Sequence, residues 1–476
     1  MKKIFVLFLI TVALAACSNN SSNNENTETD GRGLGLVFDD NGYEKMPLRA
    51  KQTRGIYTVE VAHSIENFCP EVESQGSYGT CVGWSTAYYG RTILFARSMN
   101  MTDIQTITQN TFSPSFVYKY VEVADDNCDN GTQIESALDV MKIIGAVKFA
   151  DFAEPCPANV PDELLQKAAE FKIEDYVRLF DINTEERAKI DAVKKAISED
   201  NPVIIGFQVT ESFTITDTEV WQSSGETDVL GGHAMCVVGY NDTKLGGAFR
   251  IINSWGKDWG DNGYIWISYP DFAQYTKYAF EMIGNIVEPN QQNEMSGKIR
   301  FVGENGQEMP AIFTQQRGIV VVSASGEGNY RLQNPYQSGT RFRLHIFNNQ
   351  PAYVYAIACD NNMGINILFP YDAAISPLLN YSQNEVALPD ETHLMQLDNT
   401  TGTDLFCLLY ATEPLDIEQI KNNILQASGT FSQRLTTVLS DKLVAPNEIN
   451  YSNSEMAFDA KSNKTVLPII VSITHN

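Results

Sequence analysis

The chain lacks any apolar run long enough to cross a bilayer. Its longest candidate, Ile4 to Leu14, falls well short of the ~20 residues a spanning helix needs. Positive charge is also scarce: 34 Lys and Arg stand against 59 Asp and Glu, giving a net charge of −25. A phosphate backbone needs a basic counterpart, so nucleic acid is excluded as a partner. The acidic balance fits a well-solvated body and would favour basic substrates only through its long-range field. No internal repeat is visible. Only eight cysteines are present, a number compatible with an oxidising compartment but silent on connectivity. What remains is ordinary globular composition, 43% hydrophobic and 20% charged, over 476 residues, enough for two or three domains.

The N-terminus is a targeting segment. Lys2 and Lys3 form a charged start and Ile4 to Leu14 a short apolar core. Leu14-Ala15-Ala16-Cys17 resembles a bacterial lipobox, which implies a signal peptide over 1–16 and lipidation of Cys17. An ordinary secretory signal cut near Ala15 or Ala16 is the alternative. Two or more acyl chains give stable anchoring, so the expected location is the bacterial envelope, at the outer membrane, with the membrane met through the lipid alone. Ser18 to Asp30 carries no large apolar residue and reads, within 17–33, as a flexible tether.

Chemistry is concentrated in three stretches. In Gln75-Gly76-Ser77-Tyr78-Gly79-Thr80-Cys81-Val82-Gly83-Trp84 a thiol stands directly before a helical run, expected over Val82 to Met99. The positive end of a helix pushes a thiol toward thiolate, the nucleophilic form. Gln75 lies close enough upstream for a turn to bring its amide beside the sulfur, where it and a backbone N–H can hold an oxyanion. The second stretch, Gly231-Gly232-His233-Ala234-Met235-Cys236, leads a histidine into a strand. The third is Asn253-Ser254-Trp255-Gly256-Lys257-Asp258-Trp259-Gly260-Asp261-Asn262-Gly263-Tyr264. Taken singly, Cys81 reads equally well as a buried structural thiol, His233 as a satisfied strand histidine and Asn253 as a turn residue.

Together, Gln75, Cys81, His233 and Asn253 in that order resemble the papain-like cysteine peptidases, in which His and Asn follow the Cys by about 130–150 residues. The resemblance implies an α+β fold, with a two-lobed catalytic domain (a helical lobe, then a β lobe, and a cleft between). It implies Cys81 as nucleophile, His233 as its partner in a resting ion pair, and Asn253 fixing the imidazole. Gln75 would hold the oxyanion, with polypeptide as substrate and neither cofactor nor metal. It also places Asn130, Gly131, Gly232 and Trp255 at substrate-binding positions, with Trp255 shielding the His–Asn hydrogen bond, and pairs Cys128 with Cys156 in a disulfide. The chain departs from the family where Tyr78 replaces a cysteine, Thr80 a serine, Val82 a tryptophan and Thr132 a glycine. Two other classes are open: another Cys-dependent acyl chemistry such as a transglutaminase or amidase, and a non-catalytic binding scaffold. Gln75 and Asn253 argue against the first, and the presence of all four groups against the second.

The chain divides into a leader at 34–55, the peptidase domain at 56–288, a polar linker at 289–296 and a β-rich accessory domain at 297–476. Gly31 to Thr53 shows no helical period and reads as a linker or as a short strap across the cleft. Thr132 and Glu135 read as a capping box, helices are expected over Asp162 to Phe171 and after an Asn183 cap, and Val203 to Val209 as a strand. In the accessory domain, strands are expected at Ile319 to Val322, Phe342 to Phe347, Tyr353 to Cys359, Ile365 to Phe369 and Leu405 to Tyr410, and a helix at Ile417 to Ala427. An antiparallel sandwich results, offering a surface to a protein partner.

Overall fold

The computed structural model describes residues 31–50, 59–122, 127–157, 159–284, 292–314, 328–360, 362–380 and 384–476. The signal segment, Cys17, Ser18 to Asp30 and the strand expected at Ile319 to Val322 lie outside them. Among the described residues no helix is long and apolar enough to cross a membrane.

The helix that begins at Cys81 is the axis of the first half. It is α-helical over Cys81–Gly83, π-helical over Trp84–Arg91 and α-helical again over Thr92–Ser98. All residues from Cys81 to Leu94 are buried, as its nearly all-round apolar surface demands. Its small residues permit close neighbours: a Cβ at Gly83 would lie 2.4 Å from the Pro114 carbonyl oxygen, and one at Gly90 would press on Ile204 and Met282. The π turn was not expected, and it marks this helix as locally underwound at the site, where such bulges tend to occur.

Behind this helix stands an eight-stranded sheet in the order Asp175–Arg178, Thr276–Ile283, Val203–Val209, Gly231–Asn241, Ala248–Ile252, Tyr264–Ser268, Val220–Trp221, with Ala62–Ser64 also pairing with Gly231–Asn241. Val203–Val209 is apolar and buried except at the half-buried Gln208, because it lies inside the sheet.

The second half is two seven-stranded sheets, mostly antiparallel. Alternation along the strands sorts side chains between two cores. Val354, Ala356, Leu408 and Ile469 face the other sheet, and Tyr355, Ile357 and Leu409 face two helices, Ile417–Gln426 and Phe431–Leu439. The second helix was not expected, though Thr430 and Gln433 form a complete capping box at its start. The strand Asn293–Gly303 begins inside the stretch read as linker.

Three local expectations are corrected. Thr132 caps nothing: the helix runs Ile134–Ile143 from Gln133, because the Thr132 N–H and C=O are both taken by the leader. Asn183 is not a cap either; the helix runs Glu186–Ser198. Residues 181–184 instead form a turn, closed by Thr184 N–H to Asp181 O and tied by Ile182 N–H to the Glu44 carboxylate. The leader does contain a helix, Asp40–Lys45, capped by Asp39 and too short to show a period.

Candidate active site

Cys81 is the first residue of its helix and fully buried. His233 and Ala234 lie on the strand opposite, and the Ala234 N–H donates to the Cys81 sulfur at 3.4 Å. His233 Nε2 lies 2.7 Å from Asn253 Oδ1. The same oxygen accepts from the Ser254 N–H at 2.8 Å, so it acts as acceptor and the imidazole proton sits on Nε2. Nδ1 is left as the basic nitrogen, buried and without a hydrogen-bond partner among the described residues. Asn253 is fixed by its backbone, N–H to Gly263 O at 3.0 Å and C=O from the Tyr89 hydroxyl at 2.9 Å. The Trp255 ring stacks on His233 with centroids 4.4 Å apart and is itself packed edge-on against Trp259.

Gln75 is tied into the same cluster. Its N–H donates to Ser254 O at 2.9 Å, and the Ser254 hydroxyl donates to Gln75 Oε1 at 2.6 Å. With its oxygen held there, the amide turns Nε2 toward Gly33 O at 3.0 Å and Tyr78 O at 2.8 Å. Ser254 stood in view in the sequence as part of a recognised stretch. Its part in orienting Gln75 emerges only when the two loops meet.

The leader passes through the cleft. Gly33 donates to Gly76 O at 3.1 Å, and its own carbonyl accepts from Gln75 Nε2 and from Trp255 Nε1 at 3.3 Å. Leu36 N–H donates to Gly232 O at 3.1 Å, Thr132 N–H to Gly35 O at 2.8 Å and Val37 N–H to Thr132 O at 2.9 Å. Leu36 thus bridges both lobes, antiparallel to Gly232 and parallel to Thr132. The approach is too close for side chains. A Cβ at Gly35 would lie 1.9 Å from Gly79 O, and one at Gly33 would lie 2.0 Å from Tyr78 O. The segment read as linker or strap thus lies along the cleft, beginning at Gly33, a residue assigned to the tether.

Among the expected substrate-binding residues, Gly232 and Trp255 touch the strap directly. Gly131 is buried at φ 73°, its N–H on the Tyr118 hydroxyl, with no room for a Cβ against Gly35 O. Asn130 is exposed, and the backbone pairing falls to Thr132 rather than to Asn130. Cys128 is bonded to Cys156, and Gly79 N–H donates to Cys128 O, so the bridge braces the loop before the nucleophile. Cys69, Cys236, Cys359 and Cys407 are reduced and buried.

Burial sets the electrostatics. It pushes the Cys81 thiol up to about 11, against the pull of amides from Ala234, Gly35, Val82 and Cys81 itself. It drives His233 down to about 4, with Asn253 opposing. In the covered cleft burial thus opposes the charged form of both groups. That works against the resting ion pair expected from the sequence, since burial disfavours both charges at once.

Residues 59–280 match the family described as papain family cysteine protease, and residues 1–18 match a prokaryotic membrane lipoprotein lipid attachment site. An uncharacterized peptidase C1-like protein of Acanthamoeba polyphaga mimivirus is 27% identical over 280 residues, covering 55% of this chain and 86% of that protein. Pro-cathepsin H of Medicago truncatula is 26% identical over 216 residues, covering 42% of this chain and 54% of that protein. Among solved structures, xylellain, a cysteine protease from Xylella fastidiosa, superposes with a TM-score of 0.42 at 22% identity, over 53% of this chain and 96% of its own.

Proposed function

Through residues 59–280 this chain belongs to the papain family of cysteine proteases, and from that premise we propose that it is a lipid-anchored peptidase, held latent by its own leader, in which Cys81, His233, Asn253 and Gln75 do the chemistry. The observation that carries this reading is the strap itself. A length of polypeptide lies in the cleft, its Gly33 carbonyl on the Gln75 amide and its Gly35 N–H on the Cys81 sulfur. The slot accepts peptide backbone, and the donor expected to hold an oxyanion already holds a peptide carbonyl oxygen.

With the strap displaced, water and substrate reach the pair. The Cys81 proton moves to His233 Nδ1 and the thiolate attacks the scissile carbonyl carbon. Negative charge on that oxygen is taken by Gln75 Nε2 and the Cys81 N–H. His233 returns the proton to the leaving amine, leaving a thioester on Cys81. A water molecule gives a proton to the same nitrogen as its oxygen attacks the thioester. The acid product then leaves and the thiol is restored. Asn253 Oδ1 keeps the ring in the Nε2–H tautomer through both halves. Under the strap the cycle stops at its first step, because the sulfur is protonated and meets N–H donors in place of a carbonyl carbon.

Cys17 carries the lipid in this reading, supported by the attachment-site match over 1–18. The domain plan is a peptidase at 56–288 and an accessory β domain whose first strand begins at Asn293. The test is hydrolysis of a peptide library by the full chain and by Cys81→Ala. Turnover by the wild type alone supports the reading, and equal turnover by both refutes it.

A further inference from the structure

The leader has two parts with different physical character. Residues 31–38 lie in the cleft through backbone pairing at Gly33, Gly35, Leu36 and Val37, with the Leu36 side chain buried, Phe38 edge-on against Tyr278 at 5.1 Å, and Gly31 and Val37 exposed. Residues 40–50 are built into the protein. Tyr43 is fully buried, donates its hydroxyl to Phe180 O at 2.7 Å, accepts from Ala279 N–H at 3.3 Å and stacks on Tyr278 at 4.2 Å. The buried Arg178 guanidinium binds Met46 O at 2.7 Å and Glu44 O at 3.2 Å.

Next comes a seam between the two halves of the molecule. Arg178 N–H donates to Pro47 O and Arg49 N–H to Arg178 O, both at 2.9 Å, so Leu48 pairs with the edge strand Asp175–Arg178. On its other side Leu48 N–H donates to Ala374 O at 2.6 Å, and Ser376 N–H donates to Leu48 O at 2.9 Å. One leader residue thus bridges a strand of the peptidase sheet and a loop of the accessory domain. Arg49 pairs with Glu199 and, at 3.3 Å, with Glu281, which is wholly buried. Asn201 and, from the accessory domain, Asn380 donate to the other oxygen of Glu281. Ala50 then enters the accessory core itself. Removing these residues would strip a buried carboxylate of its cation and leave backbone groups on both domains unpaired.

We propose that the accessory domain's 374–380 edge is a docking surface for this chain's own leader, and that residues 40–50 form a permanent clasp which stays docked when the strap 31–38 leaves the cleft. The proposal rests on the reading of the cleft only for the strap's role. The clasp stands on its own contacts, and its residues lie outside the family match at 59–280. The accessory domain in this arrangement fixes the point from which the strap extends over Cys81. Opening turns ahead of the Asp39 cap and lifts the Phe38 ring off Tyr278.

The experiment is native-state amide exchange on the full chain, read by mass spectrometry on peptides covering 31–38, 40–50, 276–283 and 370–380. The clasp requires 31–38 to exchange by local opening, about tenfold or more faster than 40–50, with 40–50 exchanging together with 276–283 and 370–380 in the global unit. Exchange of 31–38 and 40–50 as one cooperative segment, faster than the strands on either side, overturns it. Alkylation of Cys81 on the same samples tests the other reading separately. A Cys81 rate that ignores the opening of 31–38 refutes the strap as a cover, and the exchange pattern of 40–50 still decides the clasp.

Discussion

The Gly33 carbonyl oxygen accepts a hydrogen bond from Gln75 Nε2 at 3.0 Å. That contact joins the leader to the amide proposed to hold the oxyanion. It gives the strap a carbonyl where a substrate would present one, while Gly35, two residues on, offers the sulfur an N–H. The leader fills the cleft, and Cys81 and His233 are fully buried beneath it.

Glycine at 33 and 35 makes this possible, so a side chain there should open the cleft. Gly35→Val puts atoms where a Cβ alone would lie 1.9 Å from Gly79 O, and backbone cannot yield that far. The variant is expected to raise the initial rate of peptide hydrolysis by the full chain about tenfold or more, the equivalent of at least ~1.4 kcal/mol of lost strap affinity. Rates on a quenched fluorescent peptide, at equal protein concentration, check it. An unchanged rate means the strap does not limit access.

Gln75 and Ser254 are best measured in that opened background, where loosening the strap no longer confuses the reading. Gln75→Ala should lower kcat roughly 10²–10³-fold with little change in KM, since the donor is wanted mainly in the transition state. Ser254→Ala removes the hydroxyl 2.6 Å from Gln75 Oε1 and should lower kcat about tenfold, the worth of one neutral hydrogen bond, at nearly constant KM. Ser254→Thr, which keeps the hydroxyl, should restore most of it. A Ser254→Ala effect on KM alone would remove its positioning role.

Acid should work against the covered state. His233 is held at about 4, below its ordinary 6.5, by burial. A group depressed in the folded protein contributes stability that is full above 6.5 and is lost as pH falls toward 4, because the open or unfolded state takes up the proton first. Between pH 7 and pH 5 the loss from this one group is about 2 kcal/mol. Urea midpoints of wild type and His233→Gln at both pH values isolate it, and the wild type should lose more. Equal losses would mean that the ring is not buried neutral.

The order of Gln75, Cys81, His233 and Asn253 was legible because the proposed chemistry demands particular side chains, and the fold sets His233 on Asn253, Gln75 on Ser254 and Cys81 under the Ala234 N–H. Val203 to Val209 and the alternating accessory strands were legible because burial on one face or two leaves a period. The strap was half-visible. Its pairing across the cleft is made by backbone, and glycine in a sequence speaks equally for a loose linker and for a tight fit. Thr132 misled for the same reason: its hydroxyl and Glu135 matched a cap, while the fold used its backbone to bind the leader. Protonation was not legible, because it depends on burial, and the cover over Cys81 comes from residues more than forty positions upstream.

The most direct test of the account is alkylation of Cys81 by iodoacetamide at pH 6, followed by peptide mapping, in the full chain and in Gly35→Val. Cys81 should be modified slowly in the wild type and much faster in the variant, ahead of Cys69, Cys236, Cys359 and Cys407 in both. The gain in labelling should match the gain in peptidase activity. Equal modification of all five thiols, or a Cys81 rate untouched by Gly35→Val, would contradict the claim that this cysteine is the nucleophile and the leader its cover.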